Sequence, residues 1–185
     1  MYLNRVNTEM SGSGPRVFDA SRSTPYDLFL EEINKPYENW MLLGRVGEKS
    51  KFISFHELGL DAEKTYLVFE FWSKTLVGTF KDGFDPGVID TTYNCQLFCI
   101  RKLQAHPQLL STNRHISCGA QELKNLSWDK NILSGTSKLP ANNLYVIYLN
   151  EPEGYNFKSF KCKGATFLES AKVGSVREIS LRSKP

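Results

Sequence analysis

The stretch Thr65-Tyr66-Leu67-Val68-Phe69-Glu70-Phe71-Trp72 decides the fold class of this chain. It is a short run of aromatic and β-branched residues, the types that strands prefer. A brief turn follows, and residues 76–80 form a second run of strand length. Two such runs separated by a few residues predict a β-hairpin. We therefore expect the other strands of an antiparallel sheet elsewhere in the chain.

Similar short runs recur along the chain, each closed by turn-forming residues such as Asp82-Gly83-Phe84-Asp85-Pro86-Gly87. We predict two strands within residues 123–139, around Asp129-Lys130-Asn131, with a bulge at Gly135. The other predicted strands cover residues 40–46, 51–55, 95–100, 107–112, 143–149, 157–162, 165–169 and 176–181. No long stretch has the helical period of about 3.6. This pattern predicts an all-β fold, an antiparallel two-sheet β-sandwich of about 8–10 strands.

The length of 185 residues fits one domain with a short tail. We expect residues 1–24 to be a flexible leader or linker and residues 25–185 to form a single β-sandwich domain. The N-terminal residues lack the apolar run of a signal peptide. No stretch approaches the roughly 20 apolar residues of a membrane helix. The sequence leaves the cellular location undetermined.

The formal net charge is +3, and the basic residues are scattered among acidic ones. A nucleic-acid-binding protein is expected to carry a dense basic patch, and none is present. We therefore expect neither a nucleic-acid partner nor a membrane partner.

No constellation of catalytic or metal-binding residues stands out. His56, His106 and His115 have no recognised ligand spacing, and Ser134 lies outside any GxSxG elbow. No pair of carboxylates can be placed at the distance that glycoside hydrolysis requires. The cysteines are expected to be free, buried and apolar in role. The chain is thus expected to have no catalytic residue, no metal and no cofactor, and not to be an enzyme by itself.

Aromatic side chains offer a different kind of site, because a ring face can stack on the apolar face of a pyranose. Trp40 and Trp72 adjoin apolar residues and are expected in the core. The candidate sugar contacts are Trp128, Tyr145 and Tyr148.

Three ordered sets of segments carry a family resemblance. The first is His56-Glu57-Leu58-Gly59-Leu60, then Tyr66-Leu67-Val68-Phe69-Glu70-Phe71-Trp72 and Leu76-Val77-Gly78. The second is Leu110-Ser111-Thr112-Asn113-Arg114-His115-Ile116. The third is Glu122-Leu123-Lys124-Asn125-Leu126-Ser127-Trp128-Asp129, followed by Leu133-Ser134-Gly135-Thr136-Ser137. In this order they resemble the C-terminal β-sandwich domain of α-galactosidase-like glycoside hydrolases, the melibiase clan. The chain departs from that pattern at Ser117-Cys118-Gly119-Ala120, where paired glycines are usual in the clan.

The resemblance implies a non-catalytic accessory domain. In the clan, the sandwich follows a catalytic (β/α)8 barrel whose strands carry the two catalytic aspartates. Such a barrel takes about 250 residues, so none of it fits in this chain. The implied partner is the barrel of a parent enzyme, with carbohydrate as a further candidate partner, and the location would follow that parent. The alternative is an independent carbohydrate-binding module that uses exposed aromatics, and a small enzyme built on a sandwich has no support in the sequence.

Overall fold

The computed structural model describes residues 16–17, 28–47, 52–89 and 92–185. Within these residues the protein contains strands and turns but no helix, and every strand pair is antiparallel. The all-β prediction is confirmed, and the antiparallel sheets are consistent with a β-sandwich. The chain divides into two compact units, Met1–Leu103 (unit 1) and Gln104–Pro185 (unit 2).

Unit 1 is built around a six-stranded sheet with the order β1-β2-β3-β8-β5-β6 and a two-stranded sheet of β4 and β7. Its strands are β1 Arg16–Val17, β2 Leu28–Lys35, β3 Glu38–Arg45, β4 Ile53–Ser54, β5 Tyr66–Glu70, β6 Thr75–Phe80, β7 Gly83–Phe84 and β8 Gln96–Lys102. The predicted hairpin is confirmed, since β5 pairs with β6 from Tyr66–Phe80 to Glu70–Thr75.

The core of unit 1 lies on one face of the six-stranded sheet. Alternate residues of the central strands point into it, for example Leu43 of β3, Val68 of β5 and Phe98 of β8. Phe55 and Phe84, from β4, β7 and their flanks, pack against the same face. The residues between them, such as Leu42 and Phe69, point to the opposite face and are also buried. The central strands therefore form continuous apolar runs and do not alternate between apolar and polar residues.

Unit 2 contains a four-stranded sheet with the order β13-β14-β12-β9 and the hairpin β10–β11. Its strands are β9 Gln108–Thr112, β10 Leu123–Asp129, β11 Ile132–Ser137, β12 Leu144–Asn150, β13 Ala165–Val173 and β14 Val176–Ser183. The core cluster is formed by Tyr145, Ile179 and Leu181, with further apolar residues packed against it.

The β10–β11 hairpin turns at Lys130 and Asn131, whose φ angles are +46° and +63°. Positive φ at both loop residues suits a tight hairpin turn. The predicted bulge is found beside Gly135. The register passes from Lys124–Thr136 to Ser127–Ser134, so that Asn125 and Leu126 oppose Gly135 alone. The bulged residues are on β10, and a Cβ on Gly135 would lie 3.2 Å from the Leu126 side chain.

The strand predicted over residues 157–162 is wrong. These residues form no strand, and Phe157 and Phe160 pack against the core cluster of unit 2. Phe160 also stacks on Phe167 with ring centroids 5.8 Å apart. Apolar residues at this spacing are thus used to cover a sheet face rather than to pair with a neighbouring strand.

The predicted leader, residues 1–24, lies outside the described residues except for β1, which pairs with Phe29 and Leu30 of β2. The strand predicted over residues 51–55 is shorter in the structure, where only Ile53–Ser54 pairs, with β7.

Candidate functional site

Three ring side chains converge at the surface of unit 2, and we call them the Trp128 group. Trp128 lies on β10, His106 precedes β9, and Tyr155 is in the loop after β12. The His106 and Trp128 rings are stacked, with centroids 4.9 Å apart and planes 3° apart. Tyr155 meets the indole nearly perpendicularly, at 5.7 Å and 77°. All three residues are half-buried, so each keeps part of its surface in contact with solvent.

The edge of the Trp128 group is polar. His106 Nδ1 lies 2.9 Å from the Pro107 carbonyl oxygen. A carbonyl oxygen only accepts hydrogen bonds, so Nδ1 carries the proton and Nε2 holds the lone pair of the neutral ring. The phenol of Tyr155 adds a donor and an acceptor. Ring faces bordered by a few polar groups are suited to small ligands with both apolar and hydroxyl-bearing surfaces.

The structure places the other two predicted sugar contacts in the interior. Tyr145 is 1% exposed and Tyr148 is 3% exposed. Burial, together with the nearby negative charge of Glu178, raises the pKa of Tyr148 to about 12. Neither ring offers a face to solvent, so the prediction is wrong for Tyr145 and Tyr148, and sugar contact by Trp128 stays a prediction. His106 and Tyr155 were missed, because only the fold brings them beside Trp128.

The acidic residues that could have formed a catalytic pair have structural partners. Glu70 is buried and accepts hydrogen bonds from the backbone N–H groups of Ser73, at 2.5 Å, and Leu97, at 3.1 Å. Asp61 and Asp85 each accept from a backbone N–H two residues further on. These carboxylates hold turns and a strand end in place.

The histidine and cysteine side chains are also dispersed. No group of three His, Cys, Asp or Glu residues that could hold a metal ion occurs within the described ranges. His115 Nδ1 accepts from the Ser117 backbone N–H at 3.1 Å, and the Cys118 thiol lies 3.5 Å from the Ile116 carbonyl. Burial lowers the pKa of His115. Nδ1 of His115 is therefore engaged by the turn itself rather than directed at the neighbouring thiol.

None of the four cysteines forms a disulfide bond, and only Cys99 and Cys118 are buried. Cys95 is half-buried and Cys162 is exposed, so the expectation of four buried thiols is wrong for these two. Burial raises the pKa of the Cys95 thiol, which favours its neutral, unreactive form.

The segments that carry the family resemblance fall on three groups of elements, with β7 and β8 between the first group and the second. The first set spans the turn after β4 and the β5–β6 hairpin, the second spans β9 and the loop that follows it, and the third spans β10 and β11. At the departure from the family pattern, Cys118 has a φ of +54° and Gly119 a φ of +103°. A cysteine therefore occupies a left-handed position that glycine adopts more easily.

No family model, curated protein or solved structure matches this chain. The part of the chain that the structure describes contains no helix long and apolar enough to cross a membrane.

Proposed function

We propose that this chain is a non-catalytic C-terminal accessory domain of an α-galactosidase-like glycoside hydrolase, which packs against a catalytic (β/α)8 barrel absent from this chain. The observation that carries the proposal is the order of the resembling segments along an all-β chain, where each set falls on a strand hairpin or on a strand and its following loop. Packing against a barrel requires a complementary surface on this chain and does not require catalytic groups.

Strand β13 supports a packing role. It is the edge strand of the four-stranded sheet, and it exposes Phe167, Leu168 and Val173, of which Leu168 is 44% and Val173 79% exposed. A long edge strand with exposed apolar side chains invites association, and β13 presents these side chains beside the exposed charged residues Glu169 and Lys172. We therefore infer that the barrel covers β13 in the parent enzyme.

A binding experiment tests this proposal. The purified chain is mixed with the separately produced (β/α)8 barrel of an α-galactosidase-like enzyme, and complex formation is measured by sedimentation velocity. We expect a one-to-one complex that the double substitution Leu168→Lys and Val173→Lys abolishes. Thr166→Lys, at an exposed polar position of the same strand, is the matched control and should leave the complex intact. Failure to form any complex would contradict the proposal.

A second candidate function is direct contact with carbohydrate, and the Trp128 group is the observation that favours it. The indole is half-buried and is fixed in place by His106 on one side and Tyr155 at a steep angle. A preorganised ring loses little conformational freedom on binding. Such a group could hold a pyranose of a galactoside by stacking, with His106 Nε2 and the Tyr155 hydroxyl as hydrogen-bonding partners.

Calorimetric titration with galactosides and short oligosaccharides tests the second function. Heat of binding should be present in the unsubstituted chain and lost in Trp128→Ala. Tyr93→Ala removes an exposed aromatic ring of unit 1 and should change nothing. An absence of heat at millimolar sugar would exclude the Trp128 group as a carbohydrate site while leaving the packing role untouched.

A further inference from the structure

A buried carboxyl group in unit 2 has an unusual environment. Glu122 lies directly before β10 and is 5% exposed. Its Oε1 accepts a short hydrogen bond from the Thr112 hydroxyl. Its Oε2 is buried and has no hydrogen-bond partner among the described residues. Carboxylates are buried with all their oxygens satisfied in most proteins, so an unpartnered oxygen calls for a physical reason.

The Thr112–Glu122 bond closes a loop at its base. Thr112 is the last residue of β9, and the chain returns to Glu122 after a series of tight turns. Backbone hydrogen bonds join Leu123 N–H to the Gly119 carbonyl and Lys138 N–H to the Glu122 carbonyl, each at 3.0 Å. The side-chain bond thus fastens the loop of residues 113–121 to the two strands that flank it.

The charges around Glu122 only partly favour its ionised form. Arg114, in the same loop, is the nearby positive charge, and its guanidinium also donates to the Asn143 side chain at 2.7 Å. Burial lowers the pKa of His115, which lies in the same loop. Lys138 contributes its backbone N–H, while its side chain is exposed. Burial is the largest influence and raises the pKa of Glu122, whereas the hydrogen bond from Thr112, the backbone N–H of Glu122 itself and the charge of Arg114 lower it.

We propose that Glu122 is a proton-operated clasp, which holds the loop of residues 113–121 closed when its carboxyl group is neutral and loosens the loop when that group ionises. The inference does not depend on the proposed function, because it rests on the geometry of unit 2 alone. Protonation removes the free-energy cost of burying a charged carboxylate with one oxygen that has no hydrogen-bond partner among the described residues. Opening the loop removes the same cost by hydrating the carboxylate.

The sign of the pH dependence follows from the direction of the pKa shift. A carboxyl group whose pKa is higher in the closed loop than in the open one stabilises closure below the open-loop value. That stabilisation is lost as the pH rises through the closed-loop value. Loop closure should therefore be strongest in mildly acidic solution and weaker at neutral and alkaline pH.

Glu151 provides an internal comparison with the opposite behaviour. It is also 5% exposed, but its two oxygens accept hydrogen bonds from Arg177 and Lys172. These interactions, led by the one from Arg177, lower its pKa. Two equally buried carboxyl groups of one unit should thus titrate on opposite sides of the ordinary value of 4.5.

The experiment combines carboxyl ¹³C NMR with amide hydrogen exchange across a pH series. We expect the Glu122 midpoint to lie above 4.5 and Thr112→Val to raise it further, because the lost hydrogen bond favours the charged form. The protection factor of the Leu123 amide, corrected for intrinsic exchange, should fall as the pH rises. The fall should be about tenfold for each unit by which the midpoint exceeds its open-loop value.

Two variants separate the clasp from general effects of pH. In Glu122→Gln the pH-dependent fall in Leu123 protection should disappear, because the glutamine side chain cannot ionise. Glu151→Gln should leave that fall in place. A Glu122 midpoint at or below 4.5, or an equal fall in Glu122→Gln, would overturn the proposal. If Glu122→Gln fails to fold, the Glu122 titration midpoints of the unsubstituted chain and of Thr112→Val decide the question.

Discussion

Arg101 illustrates how single residues of this protein reconcile charge with burial. Its guanidinium lies 3.9 Å from the centroid of the Trp40 ring and 2.6 Å from Glu38 Oε2, and the residue is 1% exposed. An arginine can be buried in this way because the aromatic face and the carboxylate together replace its hydration. Trp40 is a core residue, as expected from the sequence, but its role in covering a cation was not predicted.

Removing the charge of Glu38 should therefore destabilise the folded state. We expect Glu38→Gln to lower the free energy of unfolding by about 3 kcal/mol, because it removes the charge of one partner in an ion pair with the buried Arg101. Glu63→Gln, at an exposed position of the same unit, should change it by less than about 0.5 kcal/mol. Chemical denaturation at pH 7 provides the measurement, and equal stability of the two variants would refute this role for Glu38.

Glu151 should stabilise unit 2 only above acidic pH. Its pKa is lower in the folded chain, so its contribution is present above the ordinary value of 4.5 and is lost as the pH falls through the lowered value. We expect Glu151→Gln to cost about 1–3 kcal/mol at neutral pH and almost nothing near pH 2. Unfolding curves of both proteins over this pH range test the prediction, and a constant difference between them would count against it.

The individual residues of the candidate site were the part of the structure that the sequence predicted least well. Tyr145 and Tyr148 lie on opposite faces of β12, and an amphipathic strand would expose one of them. Both are buried, so β12, an interior strand of its sheet, carries buried residues on both faces. The partners of Trp128 come from distant segments, and no local pattern marks His106 or Tyr155 as neighbours of that ring.

At the scale of elements, strand runs and hairpins were predictable because their signals are local. The β5–β6 and β10–β11 hairpins depend on apolar runs and on turn residues adjacent in sequence. The segment of residues 157–162 failed because an apolar run predicts burial but not a hydrogen-bonded neighbour. Its phenylalanines are half-buried and pack against the core cluster of unit 2 without adding a strand to the sheet.

Gly83 is required by the pairing of β4 with β7. A Cβ at this position would lie 2.3 Å from the Ile53 carbonyl oxygen, so backbone would have to move. We expect Gly83→Ala to destabilise unit 1 by about 2 kcal/mol through overpacking. Gly135→Ala, where the nearest atom is a flexible Leu126 methyl at 3.2 Å, should change stability by no more than about 1 kcal/mol. Thermal unfolding compares the two, and a larger loss in Gly135→Ala would show that the contact at Gly83 is not limiting.

At the scale of the whole molecule, the sequence was sufficient for the all-β class, because many short runs separated by turns fit few other architectures. Function is harder to obtain from the same pattern, since a sandwich serves many purposes. The proposed accessory role therefore depends on the ordered resemblance, supported by the exposed β13 edge. We expect the isolated chain to show no turnover of aryl α-galactosides, and measurable turnover that survives repurification would contradict a non-catalytic role.

The central proposal, that this chain belongs to a parent enzyme, is tested most directly by sequencing the full-length transcript that encodes it. We expect the reading frame upstream of residue 1 to continue in frame through a (β/α)8 barrel of about 250 residues, with an aspartate on each of two barrel strands. A transcript whose reading frame starts at Met1, with no barrel joined to it, would contradict the proposal.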